Sequence, residues 1–206
     1  MAKLLVVKAN PLPTEQSVSL TTAAAFVDSY TATHGADSVT ELNLFDMDVP
    51  EIDGDTLSAW GALGGGADFA SLTPTQQDKL TKRGAILEQF KAHDKVLFVT
   101  PLWNFNFPSR VKNYLDCLCV AGETFRYTEN GPEGLLTDKK AYHINASGSV
   151  FGEYNPADKH LQVVLGFMGI TDYTSQMVEG HAKMPDQAEA IKAKGIEVAT
   201  EAGKNF

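Results

Sequence analysis

The chain has 206 residues, 43% hydrophobic and 21% charged, with a formal net charge of −9. Those values fit a folded globular domain with a sizeable core. The acidic balance argues against nucleic-acid binding, which needs a basic face, and no run of about 18 apolar residues offers a membrane span.

Residues 3–8, KLLVVK, predict a first strand. This apolar run is too short for a signal segment, so a cytoplasmic protein is expected. Pro11 and Pro13 keep residues 10–16 in a loop. A helix is predicted from Val18 to His34, with Leu20, Ala24 and Val27 on one face and Gly35 ending it. Residues 38–44 predict a second strand. The acidic connection that follows, with Asp46, Asp48, Glu51, Asp53 and Asp55, reads most simply as a solvated loop. A short helix over 56–63 precedes Gly64-Gly65-Gly66. The next helix start is explicit: Thr73 caps, Pro74 takes the first position and Gln76 completes a capping box, with the helix running to about His93.

Lys95–Leu118 organises the rest. Val96–Val99 is a buried strand, and from Pro108, expected at the first helical position, Val111, Tyr114, Leu115 and Leu118 follow the i, i+3, i+4, i+7 spacing of a helix face. Residues 121–138, AGETFRYTENGPEGLLTD, are expected to form a long connection without regular structure, of a length that is usually functional or disordered. A strand over 139–146, a tight loop at 147–149, a helix from Asn155-Pro156, a strand over 172–178 and a helix over 185–203 complete the chain. Five strands alternating with helices predict a doubly wound parallel sheet, helices on both faces, within one domain spanning residues 1–206.

The chemistry-bearing positions fall after strands. Asn10, Gln16, Ser17 and Ser19 gather where the first helix begins, a place suited to phosphate, although Ser17 would equally serve as a plain cap. Leu102-Trp103-Asn104-Phe105 suits a flat, hydrogen-bonding ring, although its aromatics would also suit a core or an interface. Ala146-Ser147-Gly148-Ser149 lets a backbone approach a ligand closely, or makes an ordinary turn. Three such loops after three strands are stronger together. No dinucleotide glycine motif, P-loop or nucleophile elbow is present, and five scattered histidines lack metal-ligand spacing, so no metal is expected. Cys117 and Cys119 point to different sides of their helix and are read as reduced thiols. With no convincing nucleophile or acid–base pair, a cofactor is expected to carry the chemistry.

These residues resemble a known family, the bacterial FMN-dependent NADH:quinone oxidoreductases or azoreductases. The similarity spans essentially the whole chain. It is most specific over PLWNFNFPSRVKNYLDCLCVAGETFRYTENGPEGLLTDKKA, residues 101–141, with KLLVVKAN at the start and FMGITD at 167–172. The resemblance implies a flavodoxin-like fold, strand order 2-1-3-4-5, and a homodimer with one FMN per subunit. It places the phosphate on Asn10, Ser17, Val18 and Ser19. The flavin ring falls on Pro101, Leu102, Trp103, Asn104 and Phe105, and on Ala146, Ser147, Gly148 and Ser149. Asn104, Phe105, Phe125 and Tyr127 would line the substrate pocket, the last two conceivably from the other subunit. NADH or NADPH would donate electrons and quinones or aromatic azo compounds accept them by a ping-pong route, the flavin itself carrying the chemistry. Many relatives have serine at Asn10, methionine-tyrosine at Leu102-Trp103 and S-R-G-G at 146–149, which bears on substrate and nucleotide preference. A flavodoxin-type electron carrier and a non-catalytic flavin sensor are the rival readings.

Overall fold

The computed structural model describes residues 2–206; Met1 lies outside the described residues. Leu4–Lys8 forms β1, and its unbroken apolar run is buried on both sides, as a strand covered by helices on each face must be. The other strands are β2 (Val39–Asn43), β3 (Lys95–Pro101), β4 (Phe125–Thr128), β5 (Gly131–Gly134), β6 (Lys140–Ser147) and β7 (Asp172–Glu179). Five of them make a parallel sheet in the order β2-β1-β3-β6-β7, while β4 and β5 form a separate antiparallel pair. Counting only the parallel strands, this is the 2-1-3-4-5 order expected from the sequence. In register, Val7 lies beside Phe98, Val99 beside Ile144 and Ala146 beside Val178.

Alternation along the strands divides the core. Leu5, Val7, Val96 and Phe98 pack with Ile86 and Phe90 of α3 (Pro74–Lys91), Val111 and Leu115 of α4 (Ser109–Leu118), and Leu161 and Leu165 of α5 (Pro156–Phe167). Leu4, Val6, Leu97 and Val99 pack with Leu20, Phe26 and Tyr30 of α1 (Val18–His34) and Ala199 of α6 (Ala188–Asn205). A shorter helix, α2 (Gly54–Gly64), follows the acidic connection. Among the described residues no helix is long and apolar enough to cross a membrane.

Local chemistry explains the helix ends. Ser17 caps α1 by accepting from the Leu20 N–H, and Gly35 terminates it at φ 87°. Thr73, Pro74 and Gln76 form the expected capping box of α3, and Asn155 caps α5 through the Asp158 N–H. Two expectations change. Pro108 is the N-cap of α4 rather than its first helical residue, held extended at ψ 144°. Residues 121–138 are not structureless: they contain the β4–β5 hairpin, closed by the Thr128–Gly131 pair and by the Thr128 hydroxyl donating to the Gly131 carbonyl at 2.8 Å. The hairpin docks where Gly134 meets Gly169, and a Cβ at Gly134 would stand 2.1 Å from the Gly169 nitrogen. The Leu136 N–H donating to the Met168 carbonyl, 2.9 Å, secures the same junction.

Candidate functional site

From β1 the chain moves outward to β2, then crosses back to β3 on the other side of β1. That reversal opens a crevice at the carboxyl ends of the strands, the general ligand position in open α/β sheets. The loops after β1, β3 and β6 all emerge there from adjacent strands. The Ala9 N–H donates to the Val99 carbonyl (2.9 Å) and the Leu102 N–H to the Ala146 carbonyl (2.8 Å), so the three strand ends are stitched together.

At the first loop Asn10, Ser17 and Ser19 are buried together. Asn10 Nδ2 donates to Ser17 Oγ at 2.9 Å, and the Ser17 and Ser19 hydroxyls lie 3.1 Å apart. Asn10 is itself fixed, its carbonyl accepting from Asn43 Nδ2 and its Oδ1 from the Leu12 N–H. The N–H groups of Val18 and Ser19 fall in the first turn of α1, where no helical carbonyl can receive them. No acidic residue stands in that turn. Free N–H groups, hydroxyls and a positive helix end make a donor set that fits a phosphate. The adjoining cavity, about 340 Å³, contains Lys192, which is paired to Glu189 at 2.8 Å, so hydrogen bonds rather than a free cation dominate.

The second loop is a tight turn. Trp103 and Asn106 exchange backbone hydrogen bonds of 2.7 and 3.0 Å, and the two residues between them, Asn104 and Phe105, both have positive φ, 48° and 66°. Such a turn needs left-handed backbone at both central residues, readily adopted by asparagine and costly for phenylalanine. The N–H groups of Asn104 and Phe105 find no partner among the described residues. Phe105 is 72% exposed and Trp103 42%. Free donors beside exposed aromatic surface suit the polar edge and the face of a planar heterocycle.

The third loop leaves β6 at Ser147. The N–H of Gly180 donates to the Ser147 and Ser149 carbonyls, and those of Ala182 and Lys183 to the Gly148 carbonyl, fixing the loop from behind. Under these loops runs a buried polar chain. His143, fully buried, meets Asp158 through Nδ1 (3.1 Å) and Thr100 through Nε2 (2.9 Å). Burial, opposed by Asp158, holds the imidazole below its ordinary pKa. Burial pushes Asp158 up, but hydrogen bonds from His143 and Tyr173 outweigh it and hold the carboxyl below its ordinary range. Neutral His143 therefore donates from Nδ1 to the carboxylate and accepts from the Thr100 hydroxyl.

The thirteen residues expected at the cofactor thus lie on the three loops, in the first turn of α1 or at the ends of the strands feeding the loops. Phe125 and Tyr127 do not join them within this chain. They line a groove with Trp60, Arg83 and Cys119, where Phe125 is buried against Phe167 at 4.4 Å. Two aromatics that the sequence reading passed over flank the site: Phe45 stands 6.3 Å from Trp103, and Phe151 meets Phe105 edge-on at 5.9 Å. Each follows the carboxyl end of a strand, the signal that marked the other loops. Beyond Phe45, a cavity of about 770 Å³ contains the acidic stretch, with Lys79 set between Asp53 and Asp55 and Lys82 between Asp48 and Asp78. Among the described residues no cluster could hold a metal ion.

Sheet order, switch point and donor loops define a flavodoxin-like α/β protein with its ligand crevice at the carboxyl edge. A family model described as Flavodoxin_2, flavodoxin-like fold, matches residues 2–201. The chain is 44% identical, over 100% of both chains, to a protein of Halalkalibacterium halodurans named FMN-dependent NADH:quinone oxidoreductase 3. It is 42% identical, again over 100% of both, to FMN-dependent NADH:quinone oxidoreductase 2 of Bacillus subtilis. A crystal structure of azoreductase from Bacillus anthracis superposes with a TM-score of 0.92 at 38% identity over 100% of both chains. An FMN-dependent NADH-azoreductase of that organism in complex with FMN gives 0.87 at 32% identity, covering 98% of this chain and 100% of the other. The chain belongs to this family, the FMN-dependent NADH:quinone oxidoreductases of flavodoxin-like fold.

Proposed function

We propose that this chain is an FMN-dependent oxidoreductase that takes electrons from NADH and passes them, two at a time, to quinones and aromatic azo compounds. The observation that carries the reading is the turn at 103–106: two unpartnered N–H groups beside exposed aromatic surface, at the same sheet edge as a helix start built for phosphate. Bound FMN supplies the two-electron chemistry. Asn10, Ser17, Val18 and Ser19 hold its phosphate, the hydroxyls adding donors without adding charge. Pro101, Leu102, Trp103, Asn104 and Phe105, together with Ala146, Ser147, Gly148 and Ser149, would hold the ring. Backbone N–H groups at the ring edge favour negative charge there. Trp103 and Phe105 orient flat partners at stacking distance, which supplies proximity rather than acid–base catalysis.

Donor and acceptor use one face in turn, so the kinetics are ping-pong. An azo bond takes two cycles to become two amines. Residues 1–206 act as one FMN-binding domain in a cytoplasmic homodimer. Phe125 and Tyr127, on a groove away from the ring loops of their own chain, reach the pocket of the other subunit. Trp103 brings a larger wall without a tyrosine hydroxyl, and its side chain helps to set which quinones enter.

The test is an anaerobic stopped-flow experiment. Protein with FMN is mixed with NADH or NADPH while flavin absorbance near 450 nm is followed, and a small quinone is then added. Rapid bleaching and rapid recovery are expected, the faster nucleotide being the donor. FMN that binds but is bleached by neither nucleotide would overturn the enzyme reading in favour of a carrier.

A further inference from the structure

Glu179, the last residue of β7, is half-buried and meets no lysine, arginine or histidine among the described residues. Its carboxylate is instead satisfied by one loop. Oε2 accepts from the consecutive N–H groups of Phe151 (3.0 Å) and Gly152 (2.9 Å), and Oε1 accepts from Asn155 Nδ2 (3.2 Å). Phe151 is right-handed (φ −115°, ψ −27°) and Gly152 left-handed (φ 57°). That succession turns two N–H groups to one side and forms a concave anion receptor, here filled by the protein's own carboxylate.

The receptor is braced from both ends. Asn155, almost fully buried, also donates to Asn145 Oδ1 of β6 (2.9 Å) and accepts from the Asp158 N–H (3.1 Å). Gly180, next to Glu179, donates to the Ser147 and Ser149 carbonyls at 3.0 and 3.1 Å. The end of β7 therefore grips the segment 147–155 at its start, middle and end. Phe151, whose N–H is held by Glu179, stands perpendicular to Phe105 with ring centroids 5.9 Å apart. Phe105 in turn occupies a left-handed backbone that needs support from its surroundings.

We propose that Glu179 is a positioning residue for the flavin site: its carboxylate sets the loop after β6 and, through Phe151, the stance of Phe105 over the ring. The inference rests on the flavin reading above, and concerns a residue outside the positions assigned to cofactor and substrate there.

Three variants test it. In FMN-free protein, Glu179→Ala speeds hydrogen exchange at the Phe151 and Gly152 amides while the amides of β1 and β3 keep their protection. Loss of the hydrogen bonds that hold the loop weakens FMN binding, followed by flavin fluorescence, by about tenfold or more. Glu179→Gln keeps an oxygen for both N–H groups and restores FMN affinity to within about threefold of the parent. Phe151→Ala leaves FMN affinity within about threefold but raises the KM for a small quinone more than it lowers kcat. Wild-type amide exchange and FMN affinity in Glu179→Ala overturn the proposal. So does a Glu179→Gln variant as impaired as Glu179→Ala, because charge rather than loop geometry would then matter. Should Glu179→Ala not fold, the Gln variant and Phe151→Ala decide the matter by the same criteria. A parent protein that fails to bind FMN overturns the functional reading instead, while the exchange experiment still reports on the clamp.

Discussion

Ser17 does two jobs with one oxygen. It caps α1 through the Leu20 N–H (3.3 Å) and stands 3.1 Å from the Ser19 hydroxyl in the proposed phosphate site. Ser17→Ala is therefore expected to cost about 1 kcal/mol of stability, seen in urea denaturation, and to weaken FMN binding by about tenfold. A loss of stability with unchanged FMN affinity would reduce Ser17 to a cap alone. Tyr114 behaves in the opposite way. Its hydroxyl is fully buried with no partner among the described residues, and burial raises the phenol far above its ordinary pKa. Removing an unsatisfied polar atom while keeping the ring should be neutral or stabilising by about 1 kcal/mol. Denaturation of Tyr114→Phe checks this, and a clear loss of stability would reveal a hydrogen-bond partner for the hydroxyl.

At the scale of elements, the hairpin shows where sequence reading stops. Helix starts and stops were legible because each is written in adjacent residues: Thr73-Pro74 with Gln76, Asn155-Pro156, Gly35. The positions of the three candidate loops were legible for the same reason, each following an apolar run. The β4–β5 strands were not, because Arg126, Tyr127 and Thr128 are exposed and the segment is rich in turn formers. What holds it is tertiary: Gly134 against Gly169, and Leu136 in the core. The Glu179 clamp was hidden likewise, its loop partner Phe151 lying 28 residues away. Gly134→Ala is expected to destabilise by about 1–3 kcal/mol because a methyl group would strike backbone, not a movable side chain. Gly84→Ala, inside α3 with open space around its Cβ, should stabilise by up to about 1 kcal/mol. Paired thermal melts of the two variants compare steric clash with helix propensity directly; equal effects would refute the docking account.

For the molecule as a whole, acid should act in two stages. His143 has a lowered pKa in the folded state, so as pH falls through the ordinary histidine value, about 6.5, the unfolded chain takes up a proton the native chain refuses and stability drops. Burial holds His160 and His181 low as well, and they add to this slope. Asp158, also lowered, contributes stability above the ordinary carboxylate range and loses it only as pH falls through its own depressed value. Melting temperatures measured from pH 8 to 4 should decline below about pH 6.5, and His143→Gln should flatten the first part of that decline. An unchanged slope in that variant would assign the effect to the other histidines. The turn at 103–106 carries a consequence of another kind. The donors proposed for the ring edge are main-chain atoms held by the turn's own two hydrogen bonds, and the Leu102 and Trp103 side chains take no part in those bonds. Under the proposed site, retention of the cofactor is uncoupled from side-chain identity at the mouth. Randomising Leu102 and Trp103 should yield a library that stays yellow and folded while its members diverge in the dyes and quinones they consume, making this loop the natural starting point for directed evolution of acceptor range.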